Sequence, residues 1–203
     1  MYNLHHSKRF FASSSGKSVV IVGAKRTPIG SFMGSLKDMS TTSLGAAAAR
    51  GAIEHAGIQP EDIQEVFLGC VLQAGLGQAP DRQAALGAGC NIDTPCTAIN
   101  KVCASGMKSL MLAAQQIKAG DRDIMLAGGM ENMSKAPHYQ YLRKATGYGH
   151  VNVIDAIQFD GLTDVYNNIM MGTCVEKTNS DMGITREAQD EFAIMSYNRA
   201  RAA

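Results

Sequence analysis

Apolar positions in this chain fall into short continuous runs alternating with segments of helical spacing. Ser18 to Ala24 (Ser-Val-Val-Ile-Val-Gly-Ala) is an unbroken run rich in β-branched residues, which predicts a strand buried on both faces. Lys25-Arg26-Thr27-Pro28 then forces a loop, because proline disfavours helical backbone in the residue before it. A helix is predicted over Thr41 to Ala56, capped by Ser40 or Thr41 and stopped by Gly57. Its Gly45, Ala46, Ala47, Ala48, Ala49 and Gly51 are small and suit close packing on a sheet. Pro60-Glu61-Asp62 opens a short helical turn, and Glu65 to Leu72 reads as the next strand, with Cys70 in the core. Gln78 to Gly87 reads as a helix that tolerates Pro80 because it stands near the start.

Cys96 to Val102 is a short, mainly apolar run leading into Cys103. After it Met107, Leu110, Met111, Ala114 and Ile117 recur at helical spacing. Gly120-Asp121-Arg122 turns the chain, and Asp123 to Gly128 is a further apolar strand. The order β-α-β-α-β-α-β predicts an α/β domain with a largely parallel central sheet. From Met133 to Thr185 charges, glycines and aromatics mix without a steady period, which predicts a loop-rich region of the kind that carries sites. Arg186 to Ala203 returns to helix, with Thr185 as N-cap and Glu187 in the first turn. No glycine, proline or polar cap closes it, so the chain is read as stopping inside a running helix.

Composition narrows the class. The chain has 203 residues, 45% hydrophobic and 18% charged, which describes a soluble globular protein of one or two domains. A formal net charge of +1 argues against a nucleic-acid binder. No apolar run is long enough to span a bilayer. The 5 cysteines are an odd number without a C-x-x-C pair, so neither a disulfide framework nor a zinc site is indicated, and such thiols suit a reducing compartment. Residues 1–17 carry Lys8, Arg9, Lys17 and the Ser13-Ser14-Ser15 run, and the first acidic residue is Asp38. Basic, serine-rich and acid-poor is the mitochondrial transit pattern, favoured here over a solvated tail. Arg9-Phe10-Phe11-Ala12-Ser13 resembles a matrix-peptidase cleavage site, with cleavage expected near Phe11. His5 and His6 lie inside this leader.

The candidate chemistry centres on Cys103, where a strand gives way to a helix. Unpaired backbone N–H groups and the dipole at a helix start favour a thiolate, and the small Ser105 and Gly106 leave room for a substrate. A buried structural cysteine is the competing reading. Cys90 and Cys96 have no acid–base partner nearby in sequence and read as packing or loop cysteines, and His55, His138 and His150 as surface residues.

Asn100-Lys101-Val102-Cys103-Ala104-Ser105-Gly106 before an apolar helix resembles the nucleophile motif of the thiolase family. Four further stretches in order strengthen the resemblance: Arg26-Thr27-Pro28-Ile29-Gly30, Gly77-Gln78-Ala79-Pro80-Asp81-Arg82-Gln83, Gly128-Gly129-Met130-Glu131-Asn132-Met133-Ser134 and Asp160-Gly161-Leu162-Thr163-Asp164. The likeness runs from about Val19 to the last residue and is greatest to the mitochondrial, acetoacetyl-CoA-forming branch. It implies the N-terminal half of a thiolase-like α/β fold, with a transit peptide at 1–17, the α/β domain at 18–134 and part of the CoA-covering loop domain at 135–203. It also implies that the stretch around Gln78 to Gly87 lies near a subunit interface.

The implied activity is the reversible Claisen condensation of two acetyl-CoA to acetoacetyl-CoA plus CoA. Cys103 would take the acyl group as a thioester, its N–H helping to stabilise the oxyanion. Leu162 and Met171 would contact the pantetheine and acyl portions of the substrate. Met170 stands where relatives usually carry a histidine before Met-Gly. No metal site and no organic cofactor beyond CoA thioesters is implied, although potassium acts on full-length mitochondrial relatives. The implied partners are further copies of the chain, a tetramer built as a dimer of dimers at full length, and the implied address is the mitochondrial matrix. In the family a second half carries an activating histidine and a second cysteine, and neither motif occurs here. The expectation is therefore a fragment or a truncated product, inactive alone. Two alternatives stand beside it: a relative of ketoacyl-carrier-protein synthases, and a non-catalytic fragment that associates with full-length thiolase subunits.

Overall fold

The computed structural model describes residues 18–143 and 147–202, and the chain divides into two compact units, Met1–Ala156 and Ile157–Ala203. The leader expected at 1–17 lies outside the described residues.

In the first unit, helix α1 spans Thr41–Ala56, with Ser40 accepting the Ser43 N–H at the N-cap and Gly57 closing the C-terminus at φ 69°. Strand β1 (Glu65–Gly69), helix α2 (Pro80–Ala88), strand β2 (Cys96–Ile99), helix α3 (Ser105–Ala119) and strand β3 (Met125–Gly129) follow. Pro80 occupies the first turn of α2, where its missing N–H costs nothing. The sheet order is β2-β1-β3 and both pairings are parallel, with Gly69 level with Ile99 on one side and Gly129 on the other.

Side chains of a strand alternate between faces, and β1 uses both. Val66, Leu68 and the following Cys70 join a buried cluster with Ala49 and Ile53 of α1 and Ala84, Ala85 and Ala88 of α2. The other face meets α3 at Gly69. The small residues of α1 do what their size implies: a Cβ on Gly87 would stand 3.0 Å from the Ala46 Cβ, and one on Gly45 3.2 Å from the Ala84 Cβ. A short antiparallel pair, β4 (His138–Tyr139) with β5 (Ile154–Asp155), completes the unit.

The strand expected over Ser18 to Ala24 is absent. The segment carries no sheet pairing, and Val20, Ile21 and Val22 are 68%, 73% and 63% exposed rather than buried on both faces. It lies instead along α1. His55 Nδ1 stands 3.3 Å from the Ala24 nitrogen and 3.2 Å from its carbonyl oxygen, and Gly23 presses against the backbone of Ala52. A cavity of about 200 Å³ lies between Lys25–Thr27, α1 and the outer edge of β3. An apolar run becomes a strand only when a neighbouring edge takes its N–H and C=O groups, and among the described strands none pairs with residues 18–24. β1 is also shorter than expected. Past Gly69, the N–H groups of Val71 and Leu72 donate to the Glu131 carboxylate at 2.9 and 3.2 Å, which ends the ladder.

In the second unit a π-helical turn, Ile157–Leu162, leads into the antiparallel pair β6 (Thr163–Asp164) and β7 (Ile169–Met170). Helices α4 (Met171–Met182) and α5 (Arg186–Ala202) follow. Helix α4 falls in the stretch expected to be loop-rich. Its Gly172, Thr173, Thr178, Asn179 and Ser180 are weak helix formers, although Met171, Cys174, Val175 and Met182 recur at helical spacing, and it buries no residue. Its stop is a further legible sign: Gly183 adopts φ 66° and donates to Asn179 and Ser180, and Ile184 donates to Asn179 at 2.9 Å. α5 starts as expected, with Thr185 Oγ1 accepting the Ala188 N–H at 3.2 Å.

Candidate active site

Five residues, Asn100 to Ala104, join β2 to α3, and their own polar groups shape the connection. Asn100 Oδ1 accepts the Val102 N–H at 3.0 Å. Ser105 Oγ accepts the Lys101 N–H at 2.9 Å and donates to the Val102 carbonyl at 2.5 Å. The Ala104 and Ser105 N–H groups donate back to Lys101 and Val102. The result is a tight turn in which Val102 takes the left-handed conformation, φ 50°, and Cys103 is exposed just before the helix.

The first turn of α3 rests directly on strand backbone. Gly106 Cα lies 3.4 Å from where a Cβ on Gly129 would stand, and Ser109, fully buried, places its hydroxyl 2.6 Å from the carbonyls of Gly106 and Gly128. Three small residues at 69, 106 and 129 thus let helix and sheet approach to backbone contact.

The remaining cysteines are unlike Cys103. Burial pushes the Cys70 thiol up to about 12, helped by the Glu131 charge, by the hydrogen bond that its Sγ donates to Glu131, and by Asp81. Burial also pushes Cys96 up to about 11, with Asp81 adding to the rise and Arg82 opposing it. Cys90 is raised chiefly by burial. A thiol that resists ionisation is a poor nucleophile. Cys174 lies on α4, half-buried. Among the described residues no histidine or carboxylate hydrogen-bonds the Cys103 thiol. His55 contacts Ala24, His138 Nε2 lies 3.9 Å from Asp155, and His150 is exposed.

Leu162 and Met171 belong to the second unit, Cys103 to the first. Thr163 is level with Met170 in the β6–β7 pair; Leu162 ends the π-helical turn before it and Met171 opens α4 after it. Both are partly exposed, at 38% and 47%. Met170 Sδ lies 3.4 Å from Gln158 Nε2 and 3.9 Å from Thr163 Oγ1, a sulfur facing two polar side chains.

The stretch after β3 has a role that the sequence reading did not reach. Glu131 holds the backbone of Val71 and Leu72. Asn132 Nδ2 donates to the carbonyls of Leu36 and Met39 at 3.2 and 2.7 Å, and its Oδ1 accepts the Ser134 N–H. Ser134 Oγ accepts the Met33 N–H at 2.9 Å, where Met33 has φ 57°. Glu131, Asn132 and Ser134 therefore bracket two loops to the end of β3. Only the local part was legible: Asn after a strand end is a type that bonds adjacent backbone, as Asn132 does at Ser134. The bonds to Met33, Leu36, Met39, Val71 and Leu72 cross 59–101 positions and leave no sequence signal. Arg82 works similarly, donating to the carbonyls of Thr94 and Ile92, and Gln83 donates to Leu76 and Gln78.

The family described as "Thiolase, N-terminal domain" matches residues 19–203. Mitochondrial acetyl-CoA acetyltransferase of Bos taurus is 55% identical over 201 residues, covering 98% of this chain and 47% of that protein. The Homo sapiens protein of the same name is 57% identical over 187 residues, covering 92% and 44%. A thiolase from Ascaris suum, solved in complex with coenzyme A, is similar in fold with a TM-score of 0.87 at 42% identity, covering 90% of this chain and 48% of that one. The chain spans about half the length of the curated relatives it matches.

Proposed function

The chain belongs to the thiolase family, and on that premise we propose that it is the nucleophile-bearing half of an acetyl-CoA C-acetyltransferase acting in the mitochondrial matrix. Cys103 is the nucleophile. Its thiolate attacks the carbonyl carbon of acetyl-CoA, CoA leaves as the thiol after taking up a proton, and the acetyl group stays on Cys103 as a thioester. The α-carbon of a second acetyl-CoA loses a proton and attacks that thioester, forming acetoacetyl-CoA and freeing the thiolate. Leu162 and Met171, which flank the β6–β7 pair, contact the pantetheine and acyl portions. The histidine and second cysteine that the family uses as acid and base have no counterpart motif in the 203 residues. This chain by itself is therefore expected to accept an acetyl group slowly and not to turn over. The thiolase match over 19–203 takes precedence over the ketoacyl synthase alternative.

One observation carries the reading: Cys103 is exposed at a strand–helix turn, while Cys70, Cys90 and Cys96 are shielded and held protonated by burial. The test is incubation with acetyl-CoA followed by peptide mapping. The expected product is a hydroxylamine-labile acetyl group on Cys103, lost in Cys103→Ala, with no CoA-dependent loss of acetoacetyl-CoA above background. Acetylation of Cys174 in place of Cys103, or turnover that survives Cys103→Ala, overturns the assignment.

A second reading, association with full-length thiolase subunits, is favoured by the outward face of α3. Met107, Leu110 and Met111 are exposed there. Co-purification with a full-length thiolase without turnover supports it.

A further inference from the structure

Val102 stands in a backbone conformation that its side chain opposes. At φ 50° a β-branched residue is an outlier, and such strain persists only where the surroundings over-determine it. Two side chains do so here. Asn100 Oδ1 takes the Val102 N–H at 3.0 Å, and the Ser105 hydroxyl takes the Lys101 N–H at 2.9 Å while donating to the Val102 carbonyl at 2.5 Å. Ser105 is buried at 4% exposure, wedged over Gly69, so its hydroxyl has a fixed position. Both peptide groups of Val102 are thereby clamped, one from each side of the residue.

We propose that Asn100 and Ser105 are positioning residues that lock Val102 in the left-handed conformation and so hold Cys103 at the start of α3. The proposal rests on the reading of Cys103 as the nucleophile. A relaxed Val102 rotates the Cys103 backbone and swings the sulfur away from the helix end, where an attacking anion is favoured. Glycine adopts φ > 0 without a lock, so a glycine at 102 removes the need for one.

The test measures the alkylation rate of each cysteine by iodoacetamide in the full chain, read by peptide mapping. Cys103 reacting first in the parent supports its nucleophile role, and another cysteine reacting first counts against that role. The positioning proposal is read separately, from the rate of Cys103 itself across variants. Asn100→Ala and Ser105→Ala are expected to slow Cys103 by about threefold near neutral pH, the scale of a helix-end effect. Adding Val102→Gly to either variant is expected to restore the neutral rate, an outcome a merely structural role would not produce. Parent-like neutral rates in both alanine variants overturn the proposal. So does slowing that Val102→Gly fails to reverse. Cys70 and Cys90 report unfolding in the same digest: if Asn100→Ala exposes them and the double variant protects them again with Cys103 at the parent rate, the lock is upheld. If the double variant leaves them exposed, Asn100 serves the fold beyond the turn and the proposal falls.

Discussion

Alanine at Gly69 would place a Cβ 2.5 Å from the Ser105 carbonyl carbon, 2.6 Å from the Gly106 nitrogen and 2.8 Å from the Ser105 Cβ. Carbon atoms in contact prefer about 3.5–4.0 Å, so the shortfall is about 1 Å. Two of the three obstructing atoms are backbone, and no rotamer change clears them. Either β1 or the first turn of α3 must move by roughly that amount. Overpacking of this kind costs about 1–3 kcal/mol, and the absence of a yielding side chain sets it at the upper end. For a chain of this length, about 3 kcal/mol corresponds to a melting temperature lower by roughly 6–12 °C. The displaced turn is the one that carries Cys103, so acetylation of Cys103 by acetyl-CoA is expected to fall more steeply than stability, because a misplacement of about 1 Å can cost on the order of 100-fold in rate. Calorimetry with and without the substitution, beside a time course of Cys103 acetylation, reads both effects. Gly172→Ala on α4 is the control, since nothing stands within 4 Å of its Cβ position. A Gly69→Ala chain that melts and acetylates like the parent would refute the backbone-contact account of how α3 is seated.

Three further outcomes follow from the structure. The Cys70 thiol titrates at about 12 in the folded chain against an ordinary 9.0, so the folded state holds a proton that the unfolded state releases. Its contribution is complete below the ordinary value and is lost as pH rises towards about 12, at about 1.4 kcal/mol per pH unit, and denaturation curves at rising pH should be flatter in Cys70→Ala. Met107, Leu110 and Met111 on α3 should bind a hydrophobic dye, and lysine at 107 and 111 should suppress its fluorescence without lowering the melting temperature, whereas undiminished fluorescence places the dye elsewhere. Residues 1–17 fused to a fluorescent reporter should carry it to mitochondria, and Lys8→Glu with Arg9→Glu should leave it in the cytosol; a cytosolic reporter from the intact leader counts against the transit reading.

What could be read from the residues was whatever is decided locally. Ser40 and Gly57 bound α1 because a side-chain cap and a left-handed stop are properties of a few adjacent residues. The Pro80 start of α2 and the Thr185 cap of α5 are of the same kind. Ser18 to Ala24 failed for the opposite reason. Its β-branched run describes a segment able to pair, but pairing is a property of two segments, and this one lies along α1 with no strand edge taking its backbone groups. Helix α4 was missed because Gly172, Thr173, Thr178, Asn179 and Ser180 are weak helix formers that mask the helical spacing of Met171, Cys174, Val175 and Met182. The place of Cys103 at a strand–helix junction was legible, because it stands between an apolar run and a helical period. The lock around it was not, because the left-handed Val102 has no signature in a β-branched residue.

Parallel pairing explains why stretches far apart in sequence belong to one site. With Gly69 level with both Ile99 and Gly129, all three strands end at the same edge of the sheet. Each strand releases its chain there: β1 into Cys70–Leu72, β2 into the Cys103 turn, β3 into Met130–Ser134. In open α/β sheets this carboxyl edge is where ligands bind, because the loops that leave it are free to vary over a fixed frame. Here the frame sets tight limits on the loops. Glu131, leaving β3, holds the backbone of the loop leaving β1, and the Ser109 hydroxyl, on the helix after the β2 loop, bonds the last turns of β3. The loops leaving β1 and β3 are therefore tied to each other, and the helix that follows the Cys103 turn is tied to β3. A cysteine presented by such an edge keeps one position relative to the sheet, as the proposed transfer needs, since its acetyl thioester must stand where the α-carbon of the second acetyl-CoA can attack it.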